Sequence, residues 1–204
     1  MDAKQLFNFW LTSDYFDADT KYELSQIKDD EKEIVERFYK ELEFGTGGLR
    51  GIIGAGTNRM NIYTVRKAAQ GVANYIKSLG QEAMDRGVVI SFDSRNKSPE
   101  FALESAKVYT GNGIKTYLFD ELRPVPVLSF AVRYFNTAVG IMVTASHNPK
   151  EYNGYKVYGE DGAQLSLEGS EIVLDEITKI KDMSSIALME KEEAIEKGLL
   201  KVVG

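Results

Sequence analysis

The stretch Val139-Gly140-Ile141-Met142-Val143-Thr144-Ala145-Ser146-His147-Asn148-Pro149 joins a short apolar run to a polar loop. Residues 139–143 are typical of an internal strand that is covered on both faces of its sheet. A small hydroxyl that follows such a strand, with polar residues and a proline behind it, contributes little to a hydrophobic core. We therefore expect chemistry at Ser146. For this stretch taken alone, the alternative is a polar turn between two strands.

The same kind of apolar run occurs elsewhere and alternates with segments of helical periodicity. The predicted strands are 49–53, 88–92, 115–119, 139–143 and 152–158. The predicted helices are 64–80, a helix with Ser98 as N-cap and Pro99 as its first residue, 127–135, and a segment from Ile172 to Ile180. Repeated strand–helix–strand units predict an α/β fold with a mostly parallel (mixed) sheet sandwiched by helices. Ligands of such sheets bind at the carboxyl ends of the strands, where Ser146 lies.

Three parts of the chain differ in pattern. Residues 1–43 are charged and have helical spacing, which predicts a helical leader packed on the main domain. Its clearest apolar stripe consists of Ile34, Val35, Phe38 and Leu42. Residues 44–182 are expected to form the main domain. Residues 183–204 are expected to be a linker or the start of a second domain.

The composition restricts the function further. The 204 residues include 25 Lys and Arg against 31 Asp and Glu, and no segment gathers the basic residues into the stripe that a nucleic-acid binder needs. The chain has no cysteine and one histidine, which excludes disulfides, thiolate sites and multi-histidine metal centres. No apolar run approaches the roughly 20 residues of a membrane span. We expect a cytoplasmic protein whose partners include neither nucleic acid nor a membrane.

Because the chain is acidic overall, single cations in loops are the candidates for binding an anion. Six glycines lie between Gly45 and Gly56, with Arg50 among them. Arg50 stands where the dinucleotide fingerprint Gly-x-Gly-x-x-Gly has its third glycine, so cofactor binding there is disfavoured. After the strand 88–92, Arg95 is expected to pair with Asp93 and support the sheet.

Ser146 does not match a serine hydrolase, because the chain has no Gly-x-Ser-x-Gly elbow and His147 is directly adjacent in sequence. A serine that carries a phosphoryl group needs cations, backbone N–H groups and a metal ion around it. Lys156 is ten residues downstream on the strand that returns from the loop. Strand alternation puts Lys156 on the same face as Gly154, which we expect to leave open space beside the ammonium.

The segment 144–149 is the same as the phosphoserine loop of the α-D-phosphohexomutases, Thr-Ala-Ser-His-Asn-Pro, and three further motifs occur in that family's order. They are Phe44-Gly45-Thr46-Gly47-Gly48-Leu49-Arg50-Gly51, Asp93-Ser94-Arg95 and Asn153-Gly154-Tyr155-Lys156. The chain therefore resembles this family. With its long leader it is most similar to the subgroup of phosphoglucomutases and phosphopentomutases. The resemblance implies the first domain of a four-domain phosphohexomutase.

The resemblance also implies roles for particular residues. Ser146 would carry the phosphoryl group, and its phosphate would ligate Mg²⁺. Lys156 would be the acid/base or charge-stabilising residue. Arg50 would contact a phosphate, and His147 would bind within the loop or to the substrate. Glucose 1,6-bisphosphate is implied as activator and intermediate.

The family takes its other Mg²⁺ ligands from an Asp-x-Asp-x-Asp-Arg loop in a later domain, and this sequence contains no such loop. Asp17-Ala18-Asp19 is the nearest match, and we interpret it as the start of a helix. The expected activity is therefore that of an intramolecular phosphotransferase, a phosphoglucomutase-type isomerase, with the remaining domains as partners and this chain inactive alone. The alternatives are a phosphopentomutase or phosphomannomutase, or a non-catalytic module that binds sugar phosphates.

Overall fold

The computed structural model describes residues 1–46 and 48–204; Gly47, one of the glycines in the predicted 45–56 loop, lies outside the described residues. The helices are α1 Ala3–Thr12, α2 Ala18–Ser25, α3 Glu31–Phe38, α4 Ile62–Ser78, α5 Gln81–Arg86, α6 Ser98–Gly111, α7 Val125–Tyr134, α8 Leu167–Lys179 and α9 Lys191–Glu196. The strands are β1 Phe44–Gly45, β2 Gly48–Ile52, β3 Val88–Phe92, β4 Thr116–Phe119, β5 Val139–Val143, β6 Tyr152–Tyr158 and β7 Leu200–Val203. Across the described ranges, every helix is too short or too polar to cross a bilayer.

The strands form one sheet in the order β1-β2-β6-β5-β3-β4-β7. Strands β5, β3, β4 and β7 are parallel to one another. Strand β6 runs antiparallel to both of its neighbours, β5 and β2, and β1 runs antiparallel to β2. Of the seven strands found in the described residues, five therefore point in one direction. This confirms the predicted α/β class with a mostly parallel, mixed sheet.

Helices cover both faces of this sheet. The main core lies on one face, where Val72 of α4, Phe101 of α6 and Val173 of α8 pack against strand residues. On the other face, Leu128 and Val132 of α7 pack in a smaller core. Every residue of β3 and β5 is buried, which explains why these strands are continuous apolar runs in the sequence.

The leader forms α1, α2 and α3, which enclose an aromatic cluster. Trp10 is buried at 1% exposure and stacks on Phe16 with ring centroids 4.2 Å apart. Tyr63, the second residue of α4, packs edge-on against both rings. The Tyr63 hydroxyl donates to Asp17 Oδ2 at 2.9 Å and accepts from the Asp17 backbone N–H at 2.7 Å. Asp17 also caps α2, as the sequence predicted, so one carboxylate joins the leader to the sheet domain.

The start of α6 differs from the prediction. The N-cap is Lys97, with a φ of +65°, and Ser98 already lies inside the helix. The Ser98 hydroxyl donates to Asp93 Oδ1 at 3.0 Å and accepts from Asn153 Nδ2 at 2.9 Å. Ser98 was predicted as a cap because serine is common at that position. Here its hydroxyl instead joins the ends of β3 and β6.

The segment 183–204 also differs from the prediction. Its four-residue strand β7 pairs in parallel with β4, from Thr116 opposite Leu200 to Phe119 opposite Val203. Ala194 of α9 and Leu200 are buried in the main core. Residues 200–203 are thus an edge of this sheet and not a linker. Strand β7 is short and carries an exposed lysine, so its sequence has no clear strand pattern.

We predict that Tyr63→Phe destabilises the protein by about 1–2 kcal/mol, because it removes the hydrogen bonds between the leader and α4. Burial raises the pKa of Tyr63 to about 12, so the hydroxyl is a neutral donor at pH 7. The measurement is the free energy of unfolding by chemical denaturation. Tyr22→Phe is the control, since Tyr22 is 69% exposed, and its effect should stay within about 0.5 kcal/mol. Equal unfolding free energies for the two variants would contradict this role of Tyr63.

Candidate functional site

The loop 144–151 connects β5 to β6 at the carboxyl end of the parallel strands. Ser146 is exposed in this loop and has a φ of +55°, a left-handed conformation that residues other than glycine rarely adopt. Its backbone N–H donates to Thr144 Oγ1 at 3.0 Å. Strained backbone of this kind is concentrated at functional sites, where the surrounding contacts hold it in place.

The structure brings Lys156 to Ser146. Lys156 pairs with Met142 across the β5–β6 ladder, and its side chain turns back toward the loop. The Lys156 ammonium donates to Ser146 Oγ at 2.7 Å. The predicted role of Gly154 is wrong, because the glycine leaves no open space. A Cβ there would lie 2.6 Å from the Thr144 carbonyl oxygen and 2.9 Å from the Leu49 carbonyl oxygen, so Gly154 permits close backbone approach.

Arg50 lies on the same face of the sheet as Lys156. In the antiparallel β2–β6 pair, Arg50 is opposite Gly154, and Gly48 is opposite Lys156. Residues two apart on a strand share a face, so the two cations lie diagonally across these glycines. Arg50 Nη1 donates to Asn148 Oδ1 at 2.9 Å, which joins this exposed arginine to the loop of Ser146.

The Lys156 ammonium lies in an environment that disfavours its charge. Partial burial lowers the pKa of Lys156, the positive charge of Arg50 lowers it further, and Asp93 opposes the shift. Two neighbouring cations beside an exposed hydroxyl make a place where a bound anion is stabilised. A phosphate on Ser146 would relieve the repulsion between Lys156 and Arg50.

Asp93 and Arg95 lie at the end of β3, next to the loop. Arg95 Nε is 3.6 Å from Asp93 Oδ2, which agrees with the predicted pairing. Arg95 also contacts the loop of Ser146 directly, and Asp93 accepts from the Thr144 hydroxyl at 2.5 Å. Sequence reasoning missed these contacts with the loop and the roles of Thr144 and Asn148. The only signal available was that Thr144 and Asn148 are polar and flank the serine.

His147 is exposed, and its ring takes part in no hydrogen bond among the residues that the structure describes. Its predicted role in binding therefore remains a prediction. Ser146 Oγ is an oxygen ligand of the type that Mg²⁺ accepts, but its close side-chain neighbour is a cation, Lys156. Outside Gly47, no three His, Asp or Glu side chains come together as a metal site. The described residues thus do not complete a magnesium site by themselves.

The chain is similar to known proteins over most of its length. Residues 41–184 match the family model described as phosphoglucomutase/phosphomannomutase, alpha/beta/alpha domain I. The chain is 46% identical over 160 residues to a phosphoglucomutase of Staphylococcus haemolyticus, an alignment that covers 78% of this chain and 29% of that protein. It is 53% identical over 129 residues to a phosphoglucomutase of Staphylococcus epidermidis, covering 63% of this chain and 23% of the relative. The chain therefore spans less than a third of the length of these relatives.

Solved structures show the same fold. A putative phosphomannomutase from Thermus thermophilus superimposes with a TM-score of 0.61 at 31% identity, over 68% of this chain and 30% of that one. A phosphoglucomutase/phosphomannomutase family protein from Burkholderia thailandensis gives a TM-score of 0.58 at 22% identity, over 72% of this chain and 31% of that one, which supports the fold alone. The domain match spans more than half of the chain and includes Ser146, Lys156 and Arg50. This protein belongs to the phosphoglucomutase/phosphomannomutase family and carries its α/β/α domain I.

Proposed function

We propose that this chain is the phosphoserine domain of a phosphoglucomutase-type enzyme, an isomerase that interconverts sugar 1-phosphates and sugar 6-phosphates. The supporting observation is the 2.7 Å contact between Lys156 Nζ and Ser146 Oγ. It places a cation with a lowered pKa on an exposed hydroxyl at the carboxyl end of the sheet. The similarity to phosphoglucomutases of two Staphylococcus species supports glucose phosphates as the proposed substrates.

In the proposed reaction, Ser146 carries a phosphoryl group in the resting enzyme. The bond from phosphorus to Ser146 Oγ breaks as a bond from phosphorus to a sugar hydroxyl forms, which gives a sugar bisphosphate. Lys156 donates a proton to Oγ as it leaves, and the sugar hydroxyl releases one proton to solvent. In the second half, Oγ attacks the other phosphate of the bisphosphate, and the bond from that phosphorus to the sugar oxygen breaks. Lys156 takes the Oγ proton back, and the sugar oxygen regains one proton from solvent, so the protons balance over the cycle. The product is the positional isomer, and phospho-Ser146 is restored.

The other predicted residues surround this transfer. Arg50 offers a planar donor group to a phosphate, and its contact with Asn148 keeps it at the loop. We assign His147 to binding, because it is the exposed residue next to Ser146 in the loop. Mg²⁺ would take an oxygen of phospho-Ser146 together with ligands that these residues do not supply. Glucose 1,6-bisphosphate would load Ser146 with phosphate and also serve as the intermediate.

Residues 44–182 would be the body of domain I, to which β7 adds an edge strand, with the helical leader 1–43 packed against it. The remaining domains of the enzyme would supply the sugar contacts. We propose a cytoplasmic enzyme that acts on phosphosugars, and we expect domain I to be inactive without its partner domains.

The Thermus thermophilus neighbour, a putative phosphomannomutase, favours mannose phosphate as a second candidate substrate. The alternative is a module that binds sugar phosphates and does not transfer phosphate, and the first experiment distinguishes it from the enzyme.

We expect Ser146→Ala in the full-length protein to abolish mutase turnover, since the residue loses the oxygen that accepts the phosphoryl group. The measurement combines turnover of glucose 1-phosphate and mannose 1-phosphate with mass spectrometry of the protein after incubation with glucose 1,6-bisphosphate. The unaltered protein should gain one phosphoryl group on Ser146, and the variant should gain none. Ser129→Ala, on α7, is the matched control and should keep both signals. Binding of the bisphosphate without any phosphorylation of the unaltered protein would support the non-catalytic module instead.

We predict that Arg50→Met raises the pKa of Lys156, because it removes the nearby positive charge that disfavours the ammonium. Lysine NMR titration of the full-length protein measures this pKa. Since folding lowers the pKa of Lys156, the folded state loses this proton first, and this group's contribution to stability increases as pH rises from the lowered pKa to the ordinary lysine value. Arg86→Met is the control, because Arg86 pairs with Glu160, away from the loop of Ser146. An identical Lys156 pKa in the Arg50 variant and the unaltered protein would refute the predicted coupling.

A further inference from the structure

We propose that Arg95 is a positioning residue for phosphoryl transfer: it fixes the backbone of Ser146 so that Oγ faces Lys156. This inference rests on the proposed function of Ser146. Its basis is a set of contacts that together use the whole guanidinium group of Arg95. Pairing with Asp93 alone, which the sequence predicted, would not require these contacts.

The terminal nitrogens of Arg95 bind three carbonyl oxygens of the loop and one at the start of β6. Nη2 donates to the Ser146 oxygen at 2.8 Å and to the Asn148 oxygen at 2.7 Å. Nη1 donates to the Pro149 oxygen at 2.9 Å and to the Tyr152 oxygen at 3.0 Å. Each terminal nitrogen carries two hydrogens, so these four bonds account for all four, while Nε faces Asp93. Arg95 therefore has no terminal N–H left for a phosphate, which separates its role from that of Arg50.

Asp93 fixes the N–H side of Ser146, as Arg95 fixes its carbonyl side. Its Oδ2 accepts from the Thr144 hydroxyl at 2.5 Å, and Thr144 Oγ1 in turn accepts the Ser146 N–H at 3.0 Å. Its Oδ1 accepts the Arg95 backbone N–H at 3.1 Å. The N–H of Ser146 is thus held through Thr144 and its carbonyl through Arg95, and both connections originate at the end of β3.

This arrangement explains how Ser146 keeps its left-handed backbone. A non-glycine residue at a φ of +55° stays there only when its surroundings hold it. If the peptide groups on either side of Ser146 were free to relax, Oγ would turn away from Lys156 Nζ, which lies 2.7 Å from it. Errors of about 1 Å in the placement of reacting groups reduce rates by about 100-fold.

A lysine could not replace Arg95. An ammonium has three N–H groups on one nitrogen, whereas the guanidinium spans four carbonyls from two nitrogens in one plane. Arg95→Lys should therefore keep the positive charge and lose the alignment of the loop. This separates positioning from a purely electrostatic effect.

The test uses the full-length protein with the variants Arg95→Ala and Arg95→Lys. Arg66→Ala is the matched control, because Arg66 has the same 14% side-chain exposure as Arg95 and pairs with Glu104 instead of the loop. Three quantities are compared: the single-turnover rate of Ser146 phosphorylation by glucose 1,6-bisphosphate, the steady-state kcat and KM, and amide hydrogen exchange across residues 144–152. Guanidinium chloride at non-denaturing concentration is added to Arg95→Ala to test chemical rescue.

We expect both Arg95 variants to lose about 100-fold in kcat and in phosphorylation rate, with KM changed by less than about threefold. Exchange at the Ser146 amide should accelerate, and guanidinium should restore part of the rate in Arg95→Ala. Arg66→Ala should keep the rates and the exchange pattern even if it is less stable. Unchanged rates in the Arg95 variants, or an equal loss in Arg66→Ala, would overturn the inference. Absence of phosphorylation in the unaltered protein would instead refute the proposed function, and the exchange data would still show whether Arg95 holds the loop.

Discussion

The parallel pairing of β3 with β5 determines where the groups of the site lie. Residues 88–92 pair in register with residues 139–143, so both strands end at the same level. The Asp93 N–H donates to the Val143 oxygen at 3.2 Å, which extends this pairing by one residue. As a result, Asp93 lies beside Thr144, and Arg95 reaches the loop that follows. A shift of either strand by one residue would place the opposite set of side chains at this point and separate Asp93 from Thr144.

The leader contributes to the same site through β2. The Leu42 N–H donates to the Thr57 oxygen at 2.8 Å, and the Asn58 N–H donates to the Arg37 oxygen at 2.9 Å. These bonds hold the end of the leader against the segment that follows β2. A Cβ on Gly51 would lie 2.8 Å from Leu42 Cδ1, which shows how closely the two segments pack. Since β2 carries Arg50, packing of the leader on the domain also fixes one cation of the site.

The charges of the site contrast with those of the whole chain. The chain has a net charge of −6, yet Lys156 and Arg50 lie on one face of the sheet beside an exposed serine. The carboxylate that acts on Lys156, Asp93, accepts hydrogen bonds from the Thr144 and Ser98 hydroxyls and from the Arg95 backbone N–H. Asp93 only partly offsets the effects of burial and of the Arg50 charge, so the pKa of Lys156 stays below its usual range. Such a place favours a multiply charged anion over a neutral ligand.

The sequence alone determined the fold class, the family, and the position of Ser146 at the end of a buried strand. These features follow from local patterns, namely fully buried apolar strands and a contiguous motif. The sequence also indicated Lys156 and Arg50 as the local cations. It did not determine β7, the true start of α6, or the reason for Gly154, because each of these depends on residues distant in the chain. These are β4 for β7, Asn153 for Ser98, and the carbonyls of Leu49 and Thr144 for Gly154. Only the tertiary structure placed three loop carbonyls and the carbonyl of Tyr152 around Arg95, because hydrogen bonds to backbone atoms leave no pattern in the side chains of their acceptors.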